Sequence, residues 1–299
     1  MLTGYLHPGY AASFSEVATP LKLPTSQGWL VVRAIPRTTR HDAMGCYPLF
    51  CCADWRALSS DLDALSDRLV SMVLVADPLG DHSPELLVST FDRAIPFKEH
   101  FVIETKQRPE HFVSPSHRVH ARRALRDVAV DLCPSPLALI DEWDHLYSVL
   151  AARHGITGLR RFSRAAFERQ LAVPGLVMFR ASARGETVGL DLWMAQGDDV
   201  HNHLTAFSDR GYELRASYAT KWSAIEYFQP RVRWINLGAG TSTDPEGGLS
   251  AFKRGWSTGT KTAWLCGRVL QPATYAEIAS ATRTSAVDYF PAYRSGEFA

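Results

Sequence analysis

The sequence predicts an α/β (α+β) protein built on a mixed, mostly antiparallel sheet with flanking helices. Three observations carry that prediction. Apolar residues recur at spacings of three and four in some segments and form short β-rich runs in others. Three consecutive apolar runs between residues 175 and 207 are separated only by short turn signals. A helix–strand–helix–strand order follows them.

Each element has its own warrant. Residues 29–35 (WLVVRAI) and 46–52 read as strands separated by a polar, basic loop. A helix over 54–70 puts Leu58, Leu62, Leu65 and Leu69 on one stripe. Residues 71–76 read as a strand ended by Asp77-Pro78. A short helix over 84–92 and a strand over 99–105 come next. A basic helix spans 116–127, a strand 128–132, and helices 135–153 and 163–172. Strands are expected at 175–183, 187–194 and 199–207, with turns at Ala183–Glu186 and Ala195–Asp198. Helix 213–228 carries Leu214, Tyr218, Trp222 and Ile225 and stops at Pro230. Strand 232–237, helix 248–256, strand 262–270 and helix 272–282 complete the series. Pro134-Ser135-Pro136 is the expected boundary, giving domains 1–134 and 135–299.

The chain has 299 residues, with 32 Lys+Arg against 31 Asp+Glu, so its formal charge is +1. That balance argues against broad, field-driven binding to nucleic acid and leaves confined basic patches open. Hydrophobic residues make up 46%, enough for a core that needs no disulfide or metal staple. Residues 1–14 contain Pro8 and no continuous apolar stretch, and no run approaches 18 apolar residues. The expectation is a cytoplasmic protein without a secretory signal or membrane span. Cys46, Cys51, Cys52, Cys133 and Cys266 form no C-x-x-C pair and are expected as buried thiols.

The second half resembles the FemAB-like branch of the GNAT acyltransferase superfamily. The residues carrying this are Leu204–Asp209 (LTAFSD) with Tyr212, Trp234–Gly240 (WINLGAG) and Leu249–Trp256 (LSAFKRGW), together with the basic segment Arg118–Arg126. Their order and spacing span about residues 115–270. The resemblance implies two GNAT-like halves, the first degenerate. It also implies acyl transfer to an amine or hydroxyl of a small-molecule or cell-wall-type acceptor, by direct attack and without a tightly bound cofactor. The donor is acyl-CoA in some relatives and aminoacyl-tRNA, used to form a peptide bond, in others. One stretch departs from the pattern. The turn that holds the CoA pyrophosphate on free N–H groups corresponds to Arg210–Ser217, which has a single Gly and carries Glu213, a group that would repel phosphate. This favours the tRNA-dependent alternative. It also supports a third reading, a non-catalytic binding module on a decayed fold.

Candidate residues follow from chemistry and resemblance together. Phe252-Lys253 offers a fixed cation to a phosphate or a developing oxyanion, against the plain reading of a solvated lysine. His201 and His203 alternate on one strand face with Thr205, and Asp191 could orient one of them. A general base, a structural pair and a metal pair are all open, although no third metal ligand has suggestive spacing. Arg118, Arg122 and Arg126 lie at i, i+4 and i+8 along one helical stripe, either a solvated face or an edge for substrate phosphates, including those of tRNA. Tyr212 and Ser217 lie within the Arg210–Ser217 stretch as candidate donor-binding residues, Ser217 being small enough to admit close approach of a phosphate. Gly238 and Gly240 would line the acceptor site; a dinucleotide fingerprint fails because Thr243 stands where its third Gly belongs. Ser217 and Ser250 lack a G-x-S-x-G elbow, so a hydrolase triad is unsupported.

Overall fold

The computed structural model describes residues 2–240 and 247–297, so Thr243 lies outside the described residues. Two compact units are present, and neither is one continuous stretch of chain. The first takes residues 8–97 and 158–160 and the chain from 263 onward. It contains α1 (Pro8–Ala12), β1 (Thr19–Lys22), β2 (Trp29–Ala34), β3 (His41–Gly45), α2 (Leu58–Asp63), β4 (Ser71–Ala76) and α3 (Pro84–Thr90). Strands β1, β2, β3 and β4 are neighbours in that order, with β3–β4 parallel and the other pairs antiparallel. Residues 71–76 pair antiparallel with 264–269. Leu58, Leu62, Leu65 and Leu69 pack with Leu30, Phe50, Trp55 and Met72 in its core.

Two expectations in this unit are corrected. Residues 46–52 are not a strand: pairing ends at Gly45, and only Phe50 bridges to Ala76. Pro48 has no N–H to give a ladder, and the apolar run there serves the core instead. The leucine stripe at 58–69 is buried as expected, but the helix stops at Asp63.

The second unit, from the N-terminal residues up to His7 with 98–157 and 161–262, holds the candidate site. Its elements are β5 (Arg93–Glu104), of which 98–104 belong here, α4 (Pro109–Phe112), α5 (Pro115–Asp127), β6 (Ala129–Leu132), α6 (Ile140–His154) and α7 (Arg164–Leu171), then β7 (Leu176–Ala183), β8 (Glu186–Gln196), β9 (Asp199–Phe207), α8 (Asp209–Glu213), α9 (Ala216–Phe228), β10 (Trp234–Ala239) and α10 (Gly248–Arg254). The strand order is β5-β10-β9-β8-β7-β6. All pairs are antiparallel except β9–β10. That parallel ladder runs only from Trp234↔Asp199 to Asn236↔His201, whereas β9 continues to Phe207 and β10 to Ala239. The sheet therefore opens between the C-terminal parts of these two strands.

Local sequence explains these elements. Arg184 and Gly185 both have positive φ, 53° and 86°, as a two-residue type I′ hairpin between β7 and β8 requires. Ser114, Ser163 and Ser208 cap α5, α7 and α8 by accepting a main-chain N–H. The helix expected over 213–228 is two helices. Arg215 takes a left-handed conformation (φ 55°), and the chain turns between α8 and α9 there. Gly189 lies opposite Phe207, and a Cβ at 189 would sit 1.9 Å from the Phe207 ring. Gly189→Ala should therefore cost about 1–3 kcal/mol through overpacking; an unchanged thermal midpoint would contradict this packing. No described helix is long and apolar enough to cross a membrane.

Candidate functional site

Where β9 and β10 part, the side chain of Asn236 organises the end of β10. Its Oδ1 accepts from the main-chain N–H of Gly238 at 2.8 Å and from His100 Nδ1 at 3.1 Å. Its Nδ2 donates to His201 Nδ1 at 3.2 Å, which leaves the His201 proton on Nε2. The register to β5 shifts between Asn236 and Ala239, and Gly238 has φ 79°, a conformation that suits glycine. This bulge turns the Ala239 carbonyl toward α10, where Lys253 Nζ donates to it at 2.7 Å. A Cβ on Gly238 would lie 3.1 Å from that amine. On the same side, a Cβ on Gly240 would meet Ser250 Oγ at 2.2 Å, so α10 approaches the strand end closely. Gly238, Gly240, Phe252 and Lys253 are thus brought together.

Lys253 is half-buried, and no described carboxylate pairs with it. Burial pushes its pKa down to about 7, and the positive charges of Lys221 and Lys98 push in the same direction. A buried ammonium held near other cations loses its proton more readily than one in water. Phe252 packs against Tyr218 of α9, with ring centroids 5.0 Å apart.

Behind this site lies a buried polar network that the sequence reading did not assemble. Asp191 is fully buried and accepts from Asn202 Nδ2 and Thr205 Oγ1, both at 2.7 Å, and from Lys221 Nζ at 3.2 Å. Lys221, 5% exposed, also donates to Asn202 Oδ1 at 2.8 Å and lies 4.5 Å from the Trp193 ring centroid. Desolvation lowers the Lys221 pKa, and Asp191 opposes it. A signal was available: Tyr218, Lys221 and Ile225 follow helical spacing, so the lysine shares the stripe of its apolar neighbours.

The expected partnership of Asp191 with a histidine is corrected by the same network. Leu192 pairs with Leu204 but Trp193 with Asn202, so His203 is an extra residue in β9. A bulge of this kind breaks strict alternation. Thr205 and Asn202 turn to Asp191, while His203 meets Tyr5 and Gln170. His203 Nδ1 accepts from the Tyr5 hydroxyl at 3.0 Å, and Nε2–H donates to Gln170 Oε1 at 3.1 Å. Burial pushes its pKa down to about 3, with the His201 charge adding to the effect. A neutral ring with both nitrogens engaged has no position for a substrate proton. No three described His, Cys, Asp or Glu side chains converge as a metal site.

The arginine stripe lies on α5, which packs against α9. Arg118 is half-buried with its Nε unpartnered, and Arg122 and Arg126 are exposed. Arg215, at the start of α9, contacts His120 of α5. Among the described residues none of Arg118, Arg122, Arg123, Arg126 and Arg215 forms a carboxylate ion pair. Ser217 is half-buried in the first turn of α9. Tyr212 is exposed, with the Arg153 guanidinium 4.6 Å from its ring centroid. Glu213, expected to repel phosphate, is ion-paired to Arg210 at 2.8 Å. All five cysteines are free thiols, and burial raises the pKa of Cys46 and Cys266 to about 12 and of Cys133 to about 11.

No protein-family model matches the chain, and no curated protein matches its sequence. Solved structures do. FemX is similar with a TM-score of 0.65 at 11% identity, over 90% of this chain and 93% of that one. The C-terminal domain (DUF2156) of an Agrobacterium fabrum protein assigned as a lysylphosphatidylglycerol synthetase gives 0.61 at 12%, over 91% of each chain. L-PGS from Bacillus licheniformis gives 0.57 at 12%, over 91% and 95%. The chain thus shares the fold of these structures, with the mixed, mostly antiparallel sheet and flanking helices that the sequence predicts.

Proposed function

We propose that the chain is an acyltransferase that moves an acyl group from a phosphate-bearing donor to an amine or hydroxyl by direct attack, with Lys253 as the proton-transfer group. One observation carries this reading: a half-buried lysine amine donates to the Ala239 carbonyl where the sheet opens, and burial pushes its pKa down to about 7. Such a pKa is well matched to general acid–base work at neutral pH.

The reaction balances on that one group. The acceptor nitrogen or oxygen attacks the donor carbonyl carbon, and the carbonyl π pair moves to oxygen. The attacking atom's proton passes to neutral Lys253, whose new charge then stands beside the oxyanion. Collapse expels the leaving thiolate or alkoxide, which takes the proton from Lys253 and resets the enzyme. The Ala239 carbonyl accepts one Nζ–H and so orients the lone pair. The raised pKa values of Cys46, Cys133 and Cys266 disfavour an acyl-thioester intermediate on those residues.

The arginines at 118, 122, 126 and 215 support a donor that carries phosphate. Acyl-CoA is the first donor to test. Aminoacyl-tRNA is the second reading, favoured by the α5 row, which extends about 12 Å from Arg118 to Arg126, longer than a single phosphate group needs. The acceptor is a small molecule or cell-wall-type precursor.

A donor panel tests the proposal. Acyl-CoAs and charged tRNA are each incubated with amine acceptors, product is read by mass, and donor binding is followed by thermal shift. Product with acyl-CoA supports the first donor. Product only with charged tRNA, falling steeply with salt, supports the second. Donor-dependent stabilisation without product in any arm overturns transfer in favour of a binding module.

A further inference from the structure

We propose that His117 is the positioning residue for Lys253, holding the Phe252 carbonyl and with it the end of α10. The proposal rests on the reading of Lys253 as the reacting group.

The carbonyls at the end of α10 show why a side chain is needed there. Ala251 O accepts from Gly255 N, Lys253 O from Trp256 N, and Arg254 O from Ser257 N. The main-chain N–H four residues beyond Phe252 is that of Trp256, and it goes to Lys253 instead. His117 Nε2 fills the vacant role, 2.9 Å from Phe252 O. A carbonyl only accepts, so the ring proton is on Nε2 and Nδ1 accepts from Ser114 Oγ at 2.8 Å. Ser114 is fixed in turn: its N–H donates to Gly255 O at 2.9 Å, and its Oγ caps α5.

The ring itself has little freedom. His117 is 8% exposed and lies 4.9 Å from the Trp256 ring and 5.2 Å from Tyr218. Any Cβ at position 255 would meet the imidazole at 2.2–2.5 Å, so only glycine allows this approach. Burial lowers the His117 pKa, partly opposed by the Phe252 carbonyl, which favours the neutral tautomer this geometry needs. Helix α10 has seven residues and no side-chain N-cap, too short to hold its own position in water. The Phe252–Lys253 peptide plane is therefore set from outside, and the lysine amine follows it.

The test reads the lysine directly. In protein with 13C-labelled lysine, the Lys253 Cε resonance, assigned with Lys253→Arg, is titrated in wild type, His117→Ala, His117→Gln and Gly255→Ala. Wild type should titrate near 7. His117→Ala and Gly255→Ala should move the midpoint toward the ordinary lysine value by about one unit or more. They should also lower kcat by about 10- to 100-fold with donor KM little changed. His117→Gln, which keeps a donor, should retain most of both. An unchanged Lys253 midpoint and kcat in folded His117→Ala would overturn the proposal. If His117→Ala does not fold, an unchanged midpoint in folded Gly255→Ala would do the same. Full activity in Lys253→Ala would instead remove the catalytic reading, and the titration would still judge the His117 contact.

Discussion

Lys253→Ala should lower single-turnover acyl transfer by about 100- to 10,000-fold, the usual worth of a positioned acid–base group, and Lys253→Arg should not restore it. The second half of the expectation is the sharper one. Guanidinium stays charged at every working pH, so it can stabilise an oxyanion but cannot accept the acceptor's proton. Recovery of most activity by Arg would mean that Lys253 acts only as a fixed positive charge. The thermal midpoint should change little in Lys253→Ala, because removing a half-buried cation that burial and two neighbouring cations disfavour relieves an electrostatic cost. A large loss of stability together with activity would point to a structural role.

The largest effect on stability should come from Asp191→Ala, at about 3–5 kcal/mol. Among the described residues, this substitution leaves Lys221 buried with Asn202 and the Trp193 ring as its partners. It also strips a hydrogen-bond acceptor from Asn202 and Thr205. In this variant the folded-state pKa of Lys221 falls further below the unfolded value of 10.5. The unfolded chain then binds more protons than the folded one, so the variant should gain stability as pH rises between those two values. Urea unfolding at several pH values checks both statements. By contrast, Asp191→Leu with Lys221→Met should cost far less than either break alone, since an intact buried pair contributes little net stability. A loss below about 1 kcal/mol in Asp191→Ala would show that the pair does not anchor β8 and β9 to α9.

The order of elements in residues 115–270 was legible because their signals are local: the apolar runs of β7, β8 and β9, the Arg184-Gly185 turn, and the apolar spacing along α9. The Gly238–Gly240 and Phe252–Lys253 segments stand out in the sequence through the resemblance rather than through periodicity, and the fold places them side by side. Chemistry that depends on register was not. A single bulged residue at 203 reassigns the faces of Thr205 and His203, and no local signal marks it. His117 reads as one more member of a basic helix, and only the fold brings it to Phe252, 135 residues away. Proline explains the missed strand at 46–52, where apolar character serves packing and pairing stops.

The pH dependence of kcat/KM between about pH 5 and 9 tests the central claim most directly, because it reports the acid–base groups of the free enzyme. Lys253 must be neutral to accept a proton, and its pKa is near 7. Activity should therefore rise with pH through about 7, below the ordinary range of an acceptor amine, and Lys253→Ala should lose that limb. A profile that is flat through this range, or one whose limb survives in Lys253→Ala, would contradict the account.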